Sequence, residues 1–165
     1  MSSFTGHMKF RKFTIQDAKR VADLVGDEDV SRWTTNIPFP YTEQDAIDWI
    51  ARTPANTGRH PFAVEIDDEI VACISYWPSG EDAIEVGYWV GKPYWGKGIC
   101  TQALSMLMSQ DFFPREKNVI TRVMEGNIGS ERVLEKCGFK SSGSCTANRF
   151  GEDIKSKFFV LEGAP

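Results

Sequence analysis

The chain has 165 residues, and its 41% of hydrophobic and 25% of charged residues are ordinary for a globular domain. Its 19 Lys and Arg residues against 23 Asp and Glu residues give a net charge of -4, which argues against a protein that coats nucleic acid. Because no apolar run approaches the ~20 residues that span a bilayer and no secretion signal opens the chain, we expect one cytoplasmic domain that does not enter a membrane.

Hydrophobic periodicity predicts alternating groups of strands and helices. In chain order these are a strand at 8–14, helices at 15–25 and 42–52, strands at 62–66, 70–77 and 83–90, a helix over about 98–112, a strand at 118–125, a helix at 128–137 and strands at roughly 139–147 and 154–161. The order β-αα-βββ-α-β-α-ββ predicts an α/β fold with a mixed sheet.

Local signals bound these elements. Thr42, followed three residues later by Asp45, is a capping-box variant and predicts a helix start. The two prolines within 36–41 predict an extended loop. Residues 1–7 (MSSFTGH) look like an expression scar, so a single domain is expected over 8–165. The four cysteines form no C-x-x-C pair, so we expect free thiols and no metal site.

The segment GKPYWGKG (91–98) lies between a predicted strand and a predicted helix. It matches the P-loop pattern G-x-x-x-x-G-K-S/T as far as Lys97, but Gly98 stands where a hydroxyl would bind magnesium. The Rossmann pattern G-x-G-x-x-G fails because Thr101 replaces its third glycine. Glycines alone would indicate only a tight turn, but at a helix start they also expose N–H groups, so the segment predicts a metal-free pyrophosphate site.

Two ordered blocks make the chain similar to the GNAT superfamily of acyl-CoA-dependent N-acetyltransferases. PYWGKG matches the superfamily's loop Q/R-x-x-G-x-G/A except that Pro93 replaces Gln or Arg, and NIGSERVLEKCGF matches its segment N-x-x-A/S followed by G-F. EVGYWVGKPYWGKGICTQAL, RKFTIQDA, DVSRW and PFPYT extend the resemblance, over nearly the whole chain, to the branch of ribosomal-protein N-terminal acetyltransferases (RimJ/RimL-like). The resemblance implies a splayed central sheet flanked by helices, with acetyl-CoA as cosubstrate and no metal.

The resemblance also implies where acetyl-CoA binds. The pantetheine arm would lie between strands 83–90 and 118–125 and pair with the backbone of Trp89 and Val90, while Asn127 would contact the same arm. Backbone amides would hold the pyrophosphate; they belong to Trp95, Gly96, Lys97, Gly98, Ile99, Cys100 and Thr101. The Lys97 side chain is either a phosphate neighbour or a solvated surface lysine.

For catalysis, an amine must reach the thioester in its neutral form. Glu85 is the candidate base, directly or through water, because it interrupts an apolar strand on the same side as Gly87 and Trp89. The alternative is a solvated glutamate. Many superfamily members use a tyrosine as the acid, at the position occupied here by Leu134. The branch carries a serine at Ser130, which is either the acid or a helix-opening residue.

The acceptor is the least explicit part of the sequence. The loop that contains TTNIPFPY lies where this branch lines its acceptor cleft, which suggests contacts from Trp33, Asn36, Phe39 and Tyr41. The resemblance favours the α-amine of a protein N-terminus, with a small amine such as an amino acid, polyamine or antibiotic as the alternative. Other classes are a non-catalytic acyl-CoA sensor and a magnesium-dependent nucleotide switch. A monomer or a homodimer is expected from the family.

Overall fold

The computed structural model describes residues 6–52 and 58–163, so most of the predicted expression scar (1–5) and the last two residues of the predicted domain lie outside this range. The strands are β1 (Met8–Arg11), β2 (His60–Ile66), β3 (Glu69–Ser79), β4 (Ala83–Val90), β5 (Asn118–Met124), β6 (Lys140–Arg149) and β7 (Glu152–Leu161). The α-helices are α1 (Ala18–Val25), α2 (Glu28–Ser31), α3 (Glu43–Arg52), α4 (Ile99–Met108) and α5 (Ile128–Lys136).

All of these strands belong to one sheet of order β1-β2-β3-β4-β5-β7-β6. Every neighbouring pair is antiparallel except β4 and β5, which are parallel and are joined through α4. This confirms the predicted mixed α/β sheet. The strands predicted at 62–66 and 70–77 are confirmed as β2 and β3, which form an antiparallel hairpin, and the strand predicted at 83–90 has the same bounds as β4.

Helix boundaries differ from the prediction at three places. The first helix begins with a 3-10 turn (Ile15–Asp17), and α2 was not predicted because four residues give no periodic pattern. The helix predicted to reach 112 ends at Met108 because the side chains of Ser109 and Gln110 both donate to the Met106 carbonyl, at 2.8 and 2.9 Å. Side chains that compete for a helical carbonyl in this way favour helix termination.

The predicted capping box of α3 is confirmed. Thr42 donates its backbone N–H to the Asp45 carboxylate at 2.9 Å, and Asp45 donates its own N–H to the Thr42 hydroxyl at 3.1 Å. Two of the N–H groups that the helix start leaves without intrahelical acceptors are therefore satisfied.

The sheet is covered on both faces. One face packs against α4 and α5, whose side chains Leu104, Leu107 and Leu134 are fully buried. The other face carries α1 and α3, which bury Val21, Val25, Ala46 and other residues. Among the described helices, none is long and apolar enough to cross a membrane.

The sheet opens at its centre. β4 and β5 pair only at Ala83–Asn118, Ile84–Val119 and Glu85–Ile120. One further contact, from the Thr121 hydroxyl to the Val86 carbonyl at 3.0 Å, marks the last point where the two strands are bridged. Beyond it the strands separate, as the resemblance implied, and the gap lies between helices on both faces.

Candidate functional site

The gap between β4 and β5 opens into a cavity of about 1090 Å³. Its walls come from the second half of β4, the loop 91–98, the first turns of α4 and α5, and, across the sheet, from α3 and the segment 33–41. A cavity of this size is at the upper end of the range for small-molecule sites. Because it passes through the sheet, one ligand can reach groups on both faces.

One end of the cavity is a glycine loop at the start of α4. Gly96 and Gly98 have φ values of 75° and 76°, in the left-handed region that favours glycine. No atom lies within 4 Å of where a Cβ would stand at either residue, so their Cα atoms face open space. The first N–H groups of α4, from Ile99 onward, have no intrahelical acceptor. The loop therefore presents backbone donors and a helix N-terminus to the cavity, as the sequence predicted for an anion.

Positive side chains surround this end. Lys97, Arg132 and Lys136 all line the cavity, and the ammonium of Lys97 lies 5.9 Å from the centre of the Tyr94 ring. Lys97 is thus on the cavity wall, which fits a phosphate neighbour.

The backbone of β4 alternates between β3 and the gap. The Val86 carbonyl accepts from Thr121 across the gap, and the Val90 carbonyl accepts from the Trp95 indole N–H at 2.8 Å. Backbone groups of alternate residues point the same way in a strand. The backbone N–H and C=O of Tyr88 therefore also face the gap, whereas those of Trp89 face β3, where Trp89 is opposite Cys73. Of the two backbone contacts expected from the sequence, Val90 lies on the gap, and Trp89 contributes its side chain to the cavity wall.

Glu85 lies at the last paired position of β4, opposite Trp77 of β3. Its side chain is only 13% exposed, which does not fit the alternative of a solvated glutamate. Burial raises the pKa of Glu85, and the positive charges of Arg122 and Arg59 act against this rise. A guanidinium nitrogen of Arg122 is 4.0 Å from a carboxylate oxygen of Glu85. A carboxylate with a raised pKa that lines a cavity is a candidate for proton transfer.

Ser130 lies in the first turn of α5, on the opposite face of the sheet from Glu85. Its hydroxyl oxygen is 2.6 Å from the hydroxyl of Tyr88, and its backbone N–H donates to the Asn127 side chain at 3.4 Å. Burial raises the pKa of Tyr88, so this phenol stays protonated. Leu134, which stands where many superfamily members carry their acid, is fully buried in the core. The sequence did not single out Tyr88, although the period-2 alternation of β4 places it opposite to Glu85.

The far end of the cavity is the predicted acceptor segment. Trp33, Asn36 and Tyr41 line it, whereas Phe39 is outside the lining and 50% exposed. Burial raises the pKa of Tyr41 to about 12. Arg149 of β6 fixes this segment, since its guanidinium donates to the carbonyl oxygens of Thr34, Ile37 and Ser31 at 2.8, 3.1 and 3.4 Å.

The described part of the chain holds no cluster of metal-ligating side chains. Within residues 6–52 and 58–163, no three His, Cys, Asp or Glu side chains come together as a group that could hold a metal ion. The four cysteines are free.

Comparison with known families and sequences gives consistent matches. The model of the acetyltransferase (GNAT) domain matches residues 7–140. YdaF of Bacillus subtilis (strain 168), a provisionally named ribosomal N-acetyltransferase, is 29% identical over 147 residues, which cover 83% of this chain and 80% of YdaF.

Solved structures share the fold. Mycobacterium smegmatis RimJ, in complex with CoA-disulfide, has a TM-score of 0.80 at 22% identity, over 94% of this chain and 82% of RimJ. The self-immunity acetyltransferase MccE, in complex with acetyl-CoA and AMP, has a TM-score of 0.81 at 15% identity, over 96% of this chain and 93% of MccE.

Proposed function

This chain belongs to the GNAT acetyltransferase family, and from this premise we propose that it transfers the acetyl group of acetyl-CoA to the α-amine of a protein N-terminus. The observation that carries the proposal is the gap between β4 and β5. It joins the glycine loop, where we place the pyrophosphate, to the largely buried carboxylate of Glu85 through one cavity. Donor and acceptor can therefore approach from the two ends and meet within the sheet.

The residues fit acetyl-CoA at the first end. A Cβ at Gly96 or Gly98 would project into open space at the loop, so the glycines leave room for a pyrophosphate beside the N–H groups of 95–101. Val90 and Tyr88 turn their backbone groups to the gap, where an extended pantetheine arm would pair with them. Asn127 opens α5 next to the same gap. When bound, acetyl-CoA supplies an activated thioester, whose C–S bond breaks as the C–N bond of the product forms.

Glu85 acts as the base in this proposal. The amine nitrogen loses one proton as it becomes an amide, and the Glu85 carboxylate takes that proton directly or through water. Its raised pKa brings its proton affinity closer to that of an amine, which helps the transfer. The reaction needs no metal.

Ser130 stabilises the departing sulfur. The hydroxyl oxygens of Tyr88 and Ser130 are 2.6 Å apart, so either group can donate. In this proposal the phenol, which is more acidic than an alcohol, donates its hydrogen to the Ser130 oxygen. The Ser130 hydrogen is then free to point at the sulfur and to hydrogen-bond the thiolate, which later takes its proton from water. Tyr88 is thus a positioning residue for Ser130.

A double-mutant cycle tests this pair. Ser130→Ala and Tyr88→Phe are each expected to lower kcat by ~3–10-fold, the worth of one hydrogen bond, with little change in the KM for acetyl-CoA. The double variant is expected to lose no more than Ser130→Ala alone, because both residues act through one hydrogen bond. Tyr76 of β3 is on the same face of the sheet as Tyr88 but outside the cavity, so Tyr76→Phe should retain the full kcat. Losses that multiply in the double variant would contradict the shared role.

A protein N-terminus is proposed as the acceptor, rather than a lysine side chain, for a chemical reason. A free α-amine has a pKa of ~7.7–8.0 and a lysine amine ~10.4, so near neutral pH far more of the α-amine is already neutral. The name of YdaF, which describes a ribosomal N-acetyltransferase, and the resemblance to the RimJ/RimL-like branch support the same acceptor. The net charge of -4 would also attract basic protein partners. A cytoplasmic monomer or homodimer remains our expectation.

The proposed acceptor is tested with purified protein, acetyl-CoA and an acceptor panel, with release of free thiol and mass of the product as the readouts. Peptides with a free N-terminus are expected to be acetylated on their α-amine. Matched peptides with a blocked N-terminus and one lysine, polyamines and single amino acids serve as alternatives. Acetylation of only the small amines would overturn the N-terminal acceptor and leave the transfer chemistry in place. Binding of acetyl-CoA with no release of free thiol, whichever acceptor is added, would instead favour a non-catalytic acyl-CoA sensor.

A further inference from the structure

We propose that the acceptor carries a carboxylate close to its amine, at the first or second residue of the N-terminus, and that Arg59 and Arg122 bind this carboxylate beside Glu85. The inference rests on the proposed function and deepens it. No motif predicted these two arginines, because they come from separate elements: Arg59 directly precedes β2, and Arg122 lies within β5.

The two guanidiniums flank the candidate base. Arg59 lies over the Trp77 ring, with 3.8 Å between its guanidinium carbon and the ring centre, and Trp77 is the β3 residue that faces Glu85. Arg122 reaches to 4.0 Å from the Glu85 carboxylate and keeps 46% of its side chain exposed. Both arginines line the cavity. Because the contact between Arg122 and Glu85 is long, the guanidinium retains N–H donors for a ligand.

The charges near the base sum in favour of an anion. Glu85 contributes one negative charge and the two arginines contribute two positive ones, so the net charge of these three side chains is positive by one. The aspartates that line the cavity, Asp45 and Asp48, lie on α3, where they accept from the Thr42 N–H and from the Gln44 side chain. Their negative charges therefore belong to the opposite wall, near Tyr41.

This arrangement separates the acceptor classes. A polycation whose amine approached Glu85 would place further ammonium groups next to two guanidiniums, which is unfavourable. A carboxylate a few bonds from the amine would instead pair with them through charge-assisted hydrogen bonds, for which the planar guanidinium is suited. An N-terminus with an acidic first or second residue meets this description, and so does a free amino acid.

The experiment compares isosteric peptide pairs on the full-length protein: Asp against Asn at the first position, and Glu against Gln at the second. The wild type is expected to favour the acidic member by ~10-fold or more in kcat/KM. Arg59→Gln and Arg122→Gln should each bring this ratio toward one, and Arg122→Lys should retain part of it. The ratio is the informative quantity because any effect of these variants on Glu85 acts equally on both peptides. Arg115→Gln, an exposed arginine paired with Asp111 outside the site, should keep the wild-type ratio.

The outcomes distinguish the two proposals. Peptide acetylation with a ratio near one in the wild type would overturn the carboxylate site and leave the N-terminal acceptor intact. A wild-type preference that survives both glutamine variants would overturn the assignment to these arginines. Rapid acetylation of free aspartate or glutamate, with no reaction of any of the four peptides, would support the carboxylate site but overturn the protein N-terminus. Efficient acetylation of spermidine would contradict the charge argument.

Discussion

Glu85→Gln is expected to lower kcat by ~10²–10⁴-fold, the usual contribution of a general base. The substitution keeps the shape of the side chain and removes its ability to take a proton. Because Glu85 lies away from the glycine loop, at the paired end of β4, the affinity for acetyl-CoA should barely change. Steady-state kinetics with the best peptide of the panel, together with calorimetric titration of acetyl-CoA, measure the two quantities.

The pH dependence gives a sharper test of the same residue. Only the carboxylate form is a base, so the wild-type rate falls as the pH falls through the pKa of Glu85. Burial raises this pKa, so the acid limb is expected above the pH range of an ordinary glutamate. In Glu85→Gln that limb should disappear, and the remaining activity should rise with pH as more of the acceptor amine becomes neutral.

Glu69→Gln is the matched control, since Glu69 is an exposed glutamate at the far end of β3. It should keep both the wild-type kcat and the wild-type acid limb. If the acid limb persists unchanged in Glu85→Gln, another group sets it, and Glu85 is a structural carboxylate held between Arg122 and Trp77.

The parts of the fold that the sequence could predict depend on local patterns. The hairpin of β2 and β3, the capping box of Thr42 and Asp45 and the glycine loop are each encoded within a few consecutive residues. The short helix α2 and the end of α4 were not predicted. Four residues give no periodic pattern, and side-chain hydrogen bonds determine where α2 starts and where α4 ends. The Asp27 carboxylate accepts from the Asp29 N–H at the start of α2, and Ser109 and Gln110 compete for a carbonyl at the end of α4.

The parts of the site that lie within one segment could be predicted from the sequence, whereas contacts between distant segments could not. Tyr88 and Ser130 are 42 residues apart, and Arg149 and Thr34 are 115 residues apart, so only the sheet order and register bring them together. Register also decides which backbone groups of β4 face the gap. That is why Trp89, a contact inferred from resemblance, turns its backbone to β3 while Tyr88 takes the position on the gap.

Gly98→Val is expected to weaken acetyl-CoA binding by ~100-fold with the fold retained. The Gly98 Cα faces open space at the start of α4, so the added side chain would occupy the volume next to the helix N–H groups. A 100-fold loss corresponds to ~2.7 kcal/mol, which is the worth of one blocked charge-assisted hydrogen bond of ~1.5–3 kcal/mol. Calorimetric titration of acetyl-CoA measures it.

The substitution also introduces backbone strain, because Gly98 has a φ of 76° and valine disfavours the left-handed region. Gly80→Val supplies the matched control. Gly80 has a φ of 72° in the turn between β3 and β4, again with no atom within 4 Å of a Cβ, but it lies outside the cavity. Both variants should lose thermal stability, and only Gly98→Val should lose affinity.

A change of donor separates the pyrophosphate from the rest of the cofactor. Acetyl-pantetheine carries the same thioester and arm without the pyrophosphate, so the glycine loop has no anion to bind in it. The kcat/KM with this donor should therefore be low but similar in the wild type and in Gly98→Val. Equal losses with both donors would mean that the valine distorts the gap between β4 and β5, and unchanged affinity for acetyl-CoA would place the pyrophosphate elsewhere. A loss confined to acetyl-CoA assigns the pyrophosphate to the loop 91–98.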